Sequence, residues 1–225
     1  MMDNKTLTAI VSKVAREFKY EDAGAEFQTF KEFRIRWSRT YTWVRFEVSD
    51  YLAAAPEDIL ESVFRTLFKK IKGDEDAAYT DEARDWFMSE DFRAVNQPKY
   101  IDRIRGFGKP VGEVYDLDDI VADLEDEFHL PNLDGLVIGW EPKYRTNKIG
   151  NASTLMRVVG IPGRMDDGKF PEEVLRFIVF LHLAHISLGF DPDCGNRGDE
   201  YEEILDRYPD RKGLESRMVM MNLDF

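Results

Sequence analysis

Pro56-Glu57-Asp58-Ile59-Leu60 returns as Pro171-Glu172-Glu173-Val174-Leu175, at an offset of 115 residues (171 minus 56). Both segments open a helix in the same way, with Pro at the first helical position and two acids in the positive first turn. Both then run apolar. The first continues through Val63, Phe64, Leu67, Phe68 and Ile71. The second is apolar almost all round from Val174 to Leu183, apart from Arg176 and His182, so it is expected to be the more buried helix. Two shorter matches keep the same order. Ile35-Arg36-Trp37 before Tyr41 is paralleled by Ile138-Gly139-Trp140 before Tyr144, and Asp81 to Phe87 by Asp199 to Leu205. The order strand, Pro-Glu helix, Asp-Glu helix points to an internal duplication. The expected repeats cover 1–110 and 111–225, packed as one compact unit.

Periodicity supplies the rest of the expected elements. Residues 5–18 read as an amphipathic helix through Leu7, Ile10, Val11, Val14 and Phe18. Residues 33–37 and 42–48 alternate as a hairpin, with Phe33, Ile35, Trp37, Thr42, Val44, Phe46 and Val48 turned inward. Helices are expected at 56–72 and about 81–88, a connector at 89–116, and an acidic helix from Asp118 to His129. Strands near 135–140 and 153–161 precede a helix at 171–187, and a last helix begins near Asp199. The tail Met218-Val219-Met220-Met221 is placed to pack back on the core. This is an α+β pattern of small sheets packed against helices, not a parallel α/β alternation.

Charge and cysteine usage narrow the function classes. The 225 residues carry a net charge of −13, which repels a phosphate backbone and disfavours general nucleic-acid binding. The single Cys194 excludes an intramolecular disulfide framework and fits a reducing compartment. The N-terminal Met1-Met2-Asp3-Asn4-Lys5 lacks the apolar core of a signal peptide. Val174 to Phe190, the most apolar stretch, is short for a membrane span and contains Arg176 and two histidines. A cytoplasmic protein without a membrane segment is expected.

The stretch Phe180-Leu181-His182-Leu183-Ala184-His185-Ile186 invites comparison with H-E-x-x-H. In that motif two histidines on one helix face hold Zn²⁺ and the Glu is the general base. With Pro171 to Ile186, Gly189-Phe190-Asp191-Pro192 and Gly195-Asn196-Arg197-Gly198-Asp199-Glu200-Tyr201, the chain resembles archaeal proteins with a minimal gluzincin (minigluzincin, SprT-like) metallopeptidase domain. That resemblance implies a zincin-like fold for each repeat. In its register Leu181 stands at the first ligand, His182 at the catalytic Glu, and His185 alone remains a ligand. The family's N-R-H-G stretch, which supplies the third ligand, is shortened here to Asn196-Arg197-Gly198. The resemblance thus implies a degenerate site. It also places Leu155, Met156, Arg157, Val158 and Val159 on the edge strand that binds peptide by strand addition.

Two site readings stay open. His182 and His185, with Cys194 or with Asp191 or Asp193, would form a tetrahedral metal site with one open position, so zinc is the possible cofactor. No Glu stands beside the histidines to act as base, and a His pair in an apolar helix is more often a hydrogen-bonded core feature. A second surface combines Lys31, Arg34, Arg36, Arg39 and Arg45 with Trp37, Tyr41 and Trp43. It suits single-stranded nucleic acid or an acidic protein segment, or it is an arginine cover paired with surplus acids. The expected function is a non-catalytic, peptidase-like protein that binds a protein or peptide, alone or within a larger complex. The alternative is a divergent metal-dependent hydrolase using His182, His185 and Cys194 or a nearby Asp.

Overall fold

The computed structural model describes residues 1–143, 147–193 and 197–224. These hold eight α-helices and two three-stranded mixed sheets, an α+β arrangement. The chain divides into two compact units, residues 1–100 with 191–193, and residues 101–190 with 194–225.

The first unit contains α1 (Asn4–Glu17), β1 (Asp22–Gln28), β2 (Ile35–Arg39), β3 (Trp43–Ser49), α2 (Glu57–Ile71), α3 (Asp81–Met88) and most of α4 (Glu90–Arg103). Asp3 caps α1 by accepting from the Thr6 N–H (2.8 Å), and Thr80 caps α3. Strand β3 is central, with β1 parallel to it and β2 antiparallel. Its alternate residues Val44, Phe46 and Val48 are buried, and Phe46 meets Phe64 and Phe68 of α2 edge to face at 5.2 and 5.4 Å. Leu7, Val11 and Val14 of α1 complete this core.

The second unit contains α5 (Leu117–Phe128), β4 (Val137–Glu141), β5 (Asn151–Ser153), β6 (Val158–Pro162), α6 (Glu172–Ser187), α7 (Gly198–Leu205) and α8 (Arg211–Met220). Here β6 is central, with β4 parallel and β5 antiparallel. Helix α6 is buried from Val174 to Ala184 apart from Arg176, as its composition requires, and Arg176 pairs with Asp123 (3.2 Å) and Glu127 (2.7 Å) of α5.

The two units share one order of elements: a helix, three strands with the third central, a 3-10 turn, and a Pro-capped helix. Their registers agree as well. Asp22 lies opposite Trp43 and Val137 opposite Val158, so both parallel pairs join residues 21 apart. The 115-residue offset of the two Pro-capped helices therefore also relates β1 to β4 and β3 to β6. It aligns Gly24-Ala25-Glu26 with Gly139-Trp140-Glu141. This corrects the strand match expected from sequence. Ile35 to Trp37 lies on the antiparallel edge β2, whereas Ile138 to Trp140 lies on the parallel strand β4.

Strand β1 itself was not expected. Its inward positions are Ala23, Ala25 and Phe27, too small a set to produce a hydrophobic alternation. Its outer edge is closed by polar side chains spaced one turn apart on α1. Asn4 Oδ1 accepts from the Phe27 N–H (2.8 Å), and Ser12 donates to the Ala23 carbonyl (3.0 Å). Between them Thr8 donates to the Ala25 carbonyl (2.8 Å) and accepts from its N–H (3.2 Å). The edge of β4 is covered by backbone instead, with the Gly108 N–H donating to the Trp140 carbonyl at 2.7 Å.

The expected connector at 89–116 contains α4. Pro98 inside that helix obscures it in sequence, but Phe92 and Tyr100 are buried and Asn96 donates to the Tyr51 carbonyl (3.0 Å), so tertiary contacts hold the helix past the proline. The strand expected at 153–161 is broken by a turn in which Arg157 takes φ 50°. Met218 and Met220 of the tail belong to α8, with Met221 as its C-cap, and Met218 is fully buried. No helix among the described residues is long and apolar enough to cross a membrane.

Candidate functional site

Helix α6 carries both histidines, and they have different surroundings. His182 is buried, and its Nε2 donates to the Ile149 carbonyl at 3.3 Å, which fixes the neutral tautomer protonated on Nε2. Gly150, at φ +140°, lies against the ring, and a side chain there would come within 2.7 Å of Nε2. Burial, then the backbone bond that opposes it, then His185, leave the His182 pKa lowered to about 4. His185 is exposed on the helix surface and meets the Tyr201 ring edge-on at 5.7 Å. Partial burial lowers its pKa. The Tyr201 hydroxyl donates to the Leu181 carbonyl (3.1 Å), and burial raises its own pKa to about 12.

The split follows the burial pattern of α2 at the 115-residue offset. It aligns His182 with Leu67, a buried core residue of α2, and His185 with Lys70, an outward one. Leu181, which the resemblance sets at the first ligand, aligns with buried Thr66.

The remaining ligand candidates lie as follows. Cys194 is outside the described residues. Asp191 accepts from the Asp193 N–H at 2.9 Å. Asp193 belongs to the first unit, where Lys70 (2.7 Å), Arg84 (2.9 Å) and the Tyr79 N–H (2.7 Å) converge on its carboxylate. Burial opposes ionisation there, but these hydrogen bonds outweigh it and hold the carboxyl below the usual range. Among the described residues no group of three His, Cys, Asp or Glu side chains could hold a metal ion.

Leu155 to Val159 is not an edge strand. Leu155 to Arg157 form the turn between β5 and β6, with Leu155 and Met156 buried. Val158 and Val159 begin the central strand, which is hydrogen-bonded to β4 on one side and β5 on the other, so no further strand can join it there. The antiparallel edge of this sheet is β5.

The arginine and aromatic surface is largely as the alternation requires. Arg36 lies opposite Glu47 and Ser38 opposite Arg45, so Arg36, Arg45 and Trp43 share the outer face of the sheet. Arg45 pairs with Asp22 and stands 5.7 Å over the Trp43 ring, while Arg36 stands 5.0 Å over Phe30 and 3.9 Å from Glu47. Gly24, with no side chain, leaves a cleft of about 620 Å³ bordered by Arg36, Ser38, Arg45 and Glu47. Trp37, expected inward, is 50% exposed on the edge strand β2.

Two features had no clear signal in the sequence. Asp166, after the 3-10 turn at Gly163–Met165, accepts from three successive backbone N–H groups: Glu113 (2.5 Å), Val114 (2.8 Å) and Tyr115 (3.1 Å). Burial raises its pKa, but those bonds prevail and lower it overall. Arg164 buries Nε and Nη2 without an acceptor among the described residues, as Trp140 does with Nε1. Compared with models of known protein families, with curated proteins and with solved structures, the chain matches none.

Proposed function

We propose that this chain is a duplicated, minigluzincin-like protein without peptidase chemistry, acting by binding a protein or peptide, alone or as a subunit of a larger complex. The observation that carries this reading is His182. At the position of the catalytic Glu in the resemblance stands a ring enclosed by Ile149 and Gly150, with its Nε2 proton committed to a backbone carbonyl. The lone pair left on the ring is that of Nδ1, and a general base needs such a pair within reach of a water or substrate proton, which burial of the ring denies it. The common topology and offset of the two units support duplication, and they make His182 the counterpart of a core leucine.

The competing reading, a metal-dependent hydrolase using His182, His185 and Cys194 or a nearby Asp, would need buried His182 to ligate through Nδ1, since its Nε2 donates to the Ile149 carbonyl. Asp193 is a poor third ligand, since two cations already hold it. Incubating the full chain with an unstructured polypeptide and added zinc tests the proposal. No cleavage is expected, and cleavage abolished by a chelator would contradict it.

A further inference from the structure

The edges of the two sheets are not treated alike. The β1 edge is closed by Asn4, Thr8 and Ser12, and the β4 edge by Gly108 and Lys109. Strand β2 has no such cover among the described residues. Its register shows which groups are open. The Ser49 N–H donates to the Arg34 carbonyl at 3.0 Å and the Thr40 N–H to the Trp43 carbonyl at 2.8 Å. Antiparallel pairs alternate between bonded and non-bonded. Arg34, Arg36, Ser38 and Thr40 therefore face β3, while Ile35, Trp37 and Arg39 turn their N–H and C=O groups away from the sheet.

The side chains around this edge specify a partner. From Lys31 to Arg45 the chain has five basic residues and only Glu32 as an acid, within a protein of net charge −13. On one face stand Arg34 and Arg36. On the other stand Ile35 and the half-exposed Trp37, with Arg39 beyond them. A strand added here would turn alternate residues toward each face. A second copy pairing through the same edge would set arginine against arginine, which is unfavourable. Nucleic acid would leave the open backbone groups of Ile35, Trp37 and Arg39 unmatched. The second unit shows the fitting chemistry within the chain itself. Just before β5 the Asp224 N–H donates to the Asn147 carbonyl (2.7 Å), with Lys148 and Asp224 in a parallel bridge and Leu223 buried beside them.

We infer that the open edge of β2 is a docking site for an extended peptide segment of alternating acidic and apolar residues, added as a fourth strand to the first sheet. The inference rests on the binding-protein reading and gives it a surface and a partner class. The acidic side chains would meet Arg34 and Arg36, and the apolar ones would cover Ile35 and Trp37.

The test uses the full chain and a labelled peptide of about eight residues alternating Glu and Val, with a Lys-Val peptide and oligothymidylate as controls. Binding should protect the amides of Ile35, Trp37 and Arg39 from hydrogen exchange by about tenfold, with little change at Arg36 and Ser38, which already bond to β3. Arg39→Gln removes the charge alone, and Arg39→Pro also removes an outward N–H that β3 does not use. Arg39→Pro should bind at least about fivefold more weakly than Arg39→Gln, with the fold of each checked by circular dichroism. Four results would overturn the inference: no binding of the Glu-Val peptide, binding without protection of those three amides, equal binding of the Lys-Val peptide, or preferential binding of oligothymidylate. None of them would restore peptidase chemistry, which only chelator-sensitive cleavage would establish.

Discussion

His182 in α6 occupies the place that Leu67 occupies in α2, 115 residues earlier in an element of the same topology. The residue that looks most like a remnant of chemistry thus stands at a position matching a core leucine, and its polar contact among the described residues is to the backbone at Ile149.

His182→Leu should fold and should change the acid sensitivity of the protein. The folded pKa of about 4 lies below the ordinary 6.5, so the unfolded chain takes up the proton first as pH falls. Native stability then drops across pH 6.5 to 4 by about 2–3 kcal/mol from this group. The leucine variant loses that slope but also loses the bond to Ile149, about 1 kcal/mol at neutral pH. Urea titrations should show it slightly less stable than wild type at pH 7 and more stable near pH 4.5. Parallel curves would contradict the assignment.

Asp166→Asn keeps the shape of the side chain but turns an amide NH₂ toward a backbone donor that the carboxylate accepted. Stability should fall by about 1–3 kcal/mol. Because the folded Asp166 pKa is lowered, its contribution is present above the ordinary value of 3.8 and is lost as pH falls through the folded value. The difference between wild type and variant should therefore shrink below pH 4, outside most of the His182 window.

Thr8→Val preserves volume and strands both backbone groups of Ala25. A loss of about 1–3 kcal/mol is expected, with concentration-dependent association in sedimentation once the β1 edge is exposed. The double variant with Ser12→Ala should associate more strongly, and a monomer at every concentration would argue that α1 blocks the edge by bulk alone.

Arg164→Met should leave stability unchanged or raise it by about 1 kcal/mol, because it removes a cation whose buried Nε and Nη2 have no acceptor among the described residues. A loss larger than about 2 kcal/mol in urea titration would show that this guanidinium has a partner in solution.

The helices were legible where local chemistry and burial agree. Pro56 and Pro171 with their paired acids located α2 and α6, and the alternation of Val44, Phe46 and Val48 located β3. What stayed hidden depended on contacts distant in sequence. Strand β1 shows little hydrophobic pattern because its inner face is mostly alanine and its edge is held by α1. Helix α4 survives Pro98 through Phe92, Asn96 and Tyr100. The edge expected at Leu155 to Val159 failed because strand order follows from pairing partners, and β6 is flanked on both sides. For the site, the two histidines were found at once. Their separate surroundings depend on Ile149, Gly150 and Tyr201, which no spacing rule connects to them.

The most direct test of the central claim is the zinc content of the purified full chain, measured beside His185→Ala. The account predicts well under one zinc per chain in both proteins, with unchanged thermal stability after chelation. One zinc per chain, lost in His185→Ala or on chelation, would show that His182 and His185 serve a metal rather than the core, and would contradict the account.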